Sequence, residues 1–174
     1  MNTLDASQNF PVQQVPQLGG GTLALGQPGR GHDWQMVVVY RGLHCPICEQ
    51  YLKDLEGNLA DFHDNGVDVV VVSGDPKQKA EAMIAKTGTS VPVGYDLSVA
   101  QMRAVGLYVS DPRSPEETDR PFPEPAVFVI NADGAVQIVD VSNAPFARPD
   151  LGGLAKGLAF VRSKDYPVRG THQG

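Results

Sequence analysis

Met36-Val37-Val38-Val39-Tyr40-Arg41-Gly42-Leu43-His44-Cys45-Pro46-Ile47-Cys48 changes character twice, and the two changes decide the fold. Met36 to Tyr40 is apolar without alternation, the pattern of a central strand covered on both faces. After a short polar link, Pro46 suits the first position of a helix, where its missing N–H would have had no partner anyway. Ile47, Tyr51, Leu52, Leu55, Leu59 and Phe62 then recur at helical spacing until Asn65-Gly66 supplies a stop. This reading puts Cys45 at the helix cap and Cys48 one turn later on the same face. A thiolate at the cap gains from the free amides of the first turn and from the positive end of the helix dipole, and both lower its pKa. Residues three apart on a helix also fall within the ~4.4–6.8 Å Cα range of a disulfide.

Working outward, Val67 to Ser73 reads as a second buried strand, and Asp75-Pro76 as the cap of a helix carrying Ala80, Met83 and Ile84 and ended by Gly88. Ser98 with Gln101 forms a capping box before Met102 and Val105, and Gly106 closes that short helix. Residues 110–125 hold prolines at 112, 115, 121, 123 and 125, which predicts a long functional or mobile loop. Val127 to Ile130 and Val136 to Val141 flank Ala132-Asp133-Gly134, a hairpin signature. Pro149 opens a last helix with Leu151, Leu154, Leu158 and Val161, weakened by Gly152, Gly153 and Gly157 at ~1 kcal/mol each relative to Ala. Upstream, Thr22 to Leu25 is one short strand in a flexible lead-in. The glycines around it lack a following Gly-Lys-Ser/Thr and are turns, not a phosphate loop. The result is an α/β domain with one mixed β-sheet and helices on both faces.

The 174 residues suffice for one domain, and the formal net charge of −6 gives no basic surface for nucleic acid. Apolar residues make up 41% and charged residues 20%, the composition of a folded chain. No apolar run approaches the ~20 residues that cross a bilayer, and the N-terminus does not read as a secretory signal. Two cysteines spaced C-x-x-C in a chain expected to be cytoplasmic indicate redox or metal chemistry. Zinc would need His44 or a second subunit to complete its ligands. A Cys–His hydrolase is set aside, because His63 lies more than four helical turns from Cys45. A non-enzymatic interaction module with idle cysteines is the remaining alternative.

Val37 to Tyr40, Arg41 to Cys48 and Pro125-Ala126-Val127-Phe128-Val129-Ile130-Asn131-Ala132-Asp133-Gly134 resemble the peroxiredoxin-like branch of the AhpC/TSA family, within the thioredoxin superfamily. The resemblance implies a thioredoxin fold over residues 17–165, with residues 1–16 a flexible N-terminal segment and 166–174 a tail. It implies a thiol oxidoreductase without a bound cofactor, acting on a peroxide or disulfide and re-reduced by a thiol donor such as thioredoxin or glutathione. Homodimerisation is left open. The family places a Thr three residues before its peroxide-attacking Cys and a Pro earlier, which would put the attacker at Cys48, the Thr at Cys45 and the Pro at Arg41. Thioredoxin logic and the cap argument put the attacker at Cys45 and the resolving thiol at Cys48, and this reading is adopted. The family's peroxide-orienting arginine falls at Pro125, where thioredoxins have a cis-proline, so a cis Glu124–Pro125 bond facing the cysteines is expected. Arg41, and after it Arg148, are candidates to supply positive charge to a thiolate. Trp34, Tyr95 and Tyr108 read as partial-core aromatics.

Overall fold

The computed structural model describes residues 3–174. In chain order it contains β1 (Gln13–Pro16), β2 (Thr22–Leu25), β3 (Trp34–Val39), α1 (Pro46–Asp64), β4 (Val67–Val72), α2 (Lys77–Thr87) and β5 (Val93–Gly94). There follow α3 (Val99–Ala104), β6 (Val109–Ser110), β7 (Phe122–Pro123), β8 (Ala126–Ile130), β9 (Val136–Val141) and α4 (Leu151–Ser163). Five strands form the central sheet in the order β5-β4-β3-β8-β9. β3, β4 and β5 run parallel, and β8 is antiparallel to both β3 and β9. This mixed sheet is the thioredoxin arrangement expected from the element order.

The valines of β4, at 67 and 69–72, are buried on both faces, because each face has its own cover. Met36, Val38, Val69, Val71, Val127 and Val129 pack against Leu52, Leu55 and Phe62 of α1, Ala80 and Met83 of α2 and Leu158 of α4. The alternate residues Val37, Val39, Val70, Val72, Phe128 and Ile130 pack against Met102 of α3 and against Val15 and Leu23 of the β1–β2 hairpin. Side chains that alternate along a strand therefore feed two cores. At the starting ends of β3 and β4, buried Asp68 is paired with Arg30 and accepts the Gly29 amide and the Gln35 side-chain amide. That cluster is internally satisfied and lies at the opposite end of the strands from the cysteines. No helix among the described residues is long and apolar enough to cross a membrane.

Three expectations change. The N-terminal segment is not a loose lead-in from Ser7 onward: Ser7 N–H donates to Val136, Phe10 N–H to Gly134, and β1 pairs with β2. The cause is apolar burial, since the Phe10 ring meets Phe128 edge-on at 5.3 Å between centroids. Val15 presses so close to Gly94 that a Cβ there would come within 2.6 Å of its Cγ2. At α2, Pro76 is the cap residue and Asp75 makes no cap bond, because its carboxylate is used elsewhere, as shown below. At α4, Asp150 and not Pro149 is the cap, accepting the Gly153 amide at 2.8 Å. The capping box of Ser98 and Gln101 and the turn at Asp133-Gly134 stand where the sequence put them.

Candidate active site

Cys45 is the cap of α1, in extended backbone conformation, and its Sγ accepts the Cys48 amide at 3.3 Å. Both cysteines are free thiols and both are buried, Cys45 at 2% and Cys48 at 0% exposure. The Cys45 side chain joins the cluster of Tyr40, Leu52 and Val127. The loop that presents it is pinned from below. Asp75, itself buried, accepts the Leu43 amide at 2.8 Å, and the Cys45 amide donates to Gly42 at 3.2 Å. Burial pushes the Asp75 carboxyl up, and the Leu43 amide works against that rise.

Gly42 has φ +146°, and a Cβ on it would lie 2.8 Å from Asp75 Oδ1. Gly42→Ala should therefore cost about 1–3 kcal/mol and misplace Cys45. A lowered denaturation midpoint together with slower thiol alkylation checks this, and an unchanged variant would contradict it.

Two arginines close on the sulfur pair. Arg41 forms an ion pair with buried Glu124 at 3.1 Å, lies over the Phe122 ring at 4.8 Å and lowers the Cys45 pKa. Glu124 is fixed in turn by the Ser110 hydroxyl at 2.8 Å. Arg148, from the segment after β9, places Nη2 at 2.6 Å from Cys48 Sγ and lies over the Tyr51 ring at 4.8 Å. The Tyr51 hydroxyl donates to Pro149 at 2.8 Å and ties that segment to α1.

The electrostatics separate the two thiols. The Cys48 thiol donating to Cys45, with further help from the Cys48 amide, Arg41 and Arg148, outweighs burial and draws Cys45 down to about 6. Cys48 is pushed far up, first by burial and then by its bond to Cys45, with Arg148 opposing. His44 stacks edge-on against Phe122 at 4.6 Å, and burial followed by Arg41 lowers its pKa.

Of the residues expected at the site, Cys45, Cys48 and Arg41 are brought together, and Arg148 joins them more closely than its sequence position suggested. Pro125 differs: no cis peptide bond occurs among the described residues, so Glu124–Pro125 is trans. The physical reason is the ladder on either side. Glu124 N–H donates to Tyr108 at 2.8 Å and Pro125 C=O accepts from Ser142 at 3.0 Å, so the chain runs extended into β8 without the extra cost of a cis bond. The correction removes the main reason for expecting a site shaped around a substrate disulfide. Glu124 carried no sequence signal beyond being an acid among apolar residues, and Asp75 read only as a helix cap. Beside the pair, a groove of about 620 Å³ runs between Ile47, Tyr51, Phe146, Arg148 and Leu151, with Phe146 77% exposed. Among the described residues, no three His, Cys, Asp or Glu side chains come together as metal ligands.

A C-x-x-C at the start of the helix after the first central strand, on a mixed sheet of this order, defines a thioredoxin-superfamily protein. The AhpC/TSA family model matches residues 6–139, and the chain belongs to the AhpC/TSA family. A search of curated proteins gives no match. Among solved structures, a peroxiredoxin-like protein from Aquifex aeolicus is 20% identical with a TM-score of 0.74, over 92% of this chain and 90% of that one. AhpC of Mycobacterium tuberculosis is 16% identical with a TM-score of 0.74, over 95% and 97%. A Chlorobium tepidum protein assigned as the thiol:disulfide interchange protein DsbE is 18% identical with a TM-score of 0.66, over 91% and 98%. These likenesses establish the fold, and family membership establishes thiol-dependent oxidoreductase chemistry in general terms.

Proposed function

We propose that the protein reduces small hydroperoxides through Cys45, with Cys48 as the resolving thiol. The observation that carries this reading is the burial of both sulfurs, at 2% and 0% exposure, each beside an arginine. Sulfurs buried this deeply favour a substrate as small as hydrogen peroxide over a protein disulfide, which needs the attacking sulfur at the surface. The Cys45 thiolate attacks one peroxide oxygen, the O–O bond breaks, Cys45 becomes a sulfenic acid, and the departing alkoxide or hydroxide takes a proton. Arg41, held by Glu124, keeps Cys45 ionised for that attack. Cys48 then displaces hydroxide from the sulfenic sulfur, which leaves as water and closes the disulfide. A donor such as thioredoxin or glutathione returns two electrons, and a reducing cytoplasm suits that cycle.

Exchange with a disulfide substrate is the second reading, favoured by the placement of both thiols within one helical turn. It requires the first turn of α1 to open. Mixing reduced protein with one equivalent of hydrogen peroxide decides between them. Peroxide reduction predicts loss of both thiols and a monomer lighter by about 2 Da. Thiols that survive peroxide but are consumed by oxidised glutathione would favour exchange.

A further inference from the structure

We infer that Arg148 activates the second cysteine: with its guanidinium held on Tyr51, it makes buried Cys48 the thiolate that attacks the Cys45 sulfenic acid. Peroxide attack is left to Cys45, with Arg41 as its main cation. The inference rests on the peroxide-reduction reading above.

Four observations carry it. Arg148 Nη2 is 2.6 Å from Cys48 Sγ, and this sulfur is the one acceptor it has among the described residues. Arg148 forms no ion pair there, unlike Arg41, whose charge is answered by Glu124. Its Nε and Nη1 are buried without partners, so the cation is under-compensated, and a buried charge in that condition favours a negative neighbour. Finally, the guanidinium is held in place, by the Tyr51 ring beneath it and by the Tyr51 hydroxyl on the adjacent Pro149 carbonyl.

Resolution requires a thiolate, since the thiol is a poor nucleophile. In the reduced pair, burial and then the neighbouring Cys45 thiolate keep Cys48 protonated. Peroxide removes the second of these restraints. Once Cys45 has become a neutral sulfenic acid, the anion that held the Cys48 proton is gone, and Arg148 is the charge left beside Cys48. The Cys48 proton is released, the new S–S bond forms as the S–O bond breaks, and hydroxide departs as water. Oxidation of one cysteine thus arms the other.

The test separates the two steps. Reduced protein is mixed rapidly with hydrogen peroxide and quenched at intervals with dimedone, which traps sulfenic acid. Arg148→Gln should slow sulfenic acid formation less than it slows resolution, which should fall about tenfold for each pKa unit that Cys48 regains. Excess peroxide should therefore drive Cys45 of this variant to the sulfinic acid, about 32 Da heavier. Raising the pH should restore its resolution rate, and Arg148→Lys, which keeps the charge, should recover most of it. In the unmodified protein, resolution should stay level across neutral pH.

Resolution in Arg148→Gln as fast as in the unmodified protein would overturn the inference. So would a first step slowed as much as the second, or an unmodified protein whose resolution climbs tenfold per unit up to about pH 8. An unmodified protein that forms neither sulfenic acid nor disulfide with peroxide would instead remove the reading beneath it.

Discussion

Cys45→Ser should lose peroxide reduction by at least about 10³-fold, the scale on which removal of a nucleophile is felt, while leaving the fold intact. Serine is itself a good N-cap and can accept the Cys48 amide that Cys45 Sγ accepts at 3.3 Å, so stability should stay within about 1 kcal/mol of the parent. Cys48→Ser should behave differently. It should consume one equivalent of peroxide through Cys45 and then stop, because no resolving thiol remains. Thiol-dependent peroxide consumption and a thermal melt on each variant check both statements. If Cys45→Ser still attacks peroxide and Cys48→Ser does not, the roles are reversed, and the family alignment that places the attacker at Cys48 is correct.

The largest loss of stability is expected from Phe128→Ala. Phe128 is 0% exposed, sits on β8 between β3 and β9, and meets Phe10 edge-on at 5.3 Å. Removing a buried Phe costs about 3–5 kcal/mol, from lost transfer energy and the cavity left behind. Against a typical total of about 5–15 kcal/mol, that leaves a marginal protein. The same change takes away the ring on which the N-terminal segment rests, so amide protection around Phe10 should fall with it. Urea unfolding measures the loss; a cost below about 1 kcal/mol would mean that this face of the sheet closes without Phe128.

What the sequence made legible was local. β3, α1 and β4 announce themselves because unbroken valines and a helical apolar stripe are properties of neighbouring residues, and Pro46 fixes the helix start that places Cys45 at the cap. The Ser98–Gln101 capping box was readable for the same reason. What stayed hidden was long-range. Arg148 meets Cys48 across a hundred positions of sequence, and only the turn of the chain after β9 brings it there. Arg41 finds Glu124 because β3 and β8 are sheet neighbours, a pairing that no spacing encodes. Asp75 looked like a helix cap because acids before Pro often are, but the Leu43 amide competes for the same carboxylate and wins. The Glu124–Pro125 bond was read from the place it occupies in a related fold, and the ladder bonds at Glu124 and Pro125 hold it trans instead.

Peroxide reduction depends most directly on the ionisation of Cys45, drawn down to about 6 by the Cys48 thiol, the Cys48 amide and Arg41. A depressed thiol pKa means that the reactive form is fully present above that value and is lost as the pH falls through it. The measurement is the second-order rate of hydrogen peroxide reduction by the Cys48→Ser variant, followed by stopped flow across the pH range. Because that substitution replaces the strongest donor with a hydroxyl at the same place, the inflection should stay clearly below the ~8.5 of free cysteine. The rate on the plateau should exceed that of free cysteine by at least about a hundredfold. A rate no greater than that of free cysteine, still rising through pH ~8.5, would contradict the assignment of Cys45 as a peroxide-reducing thiolate.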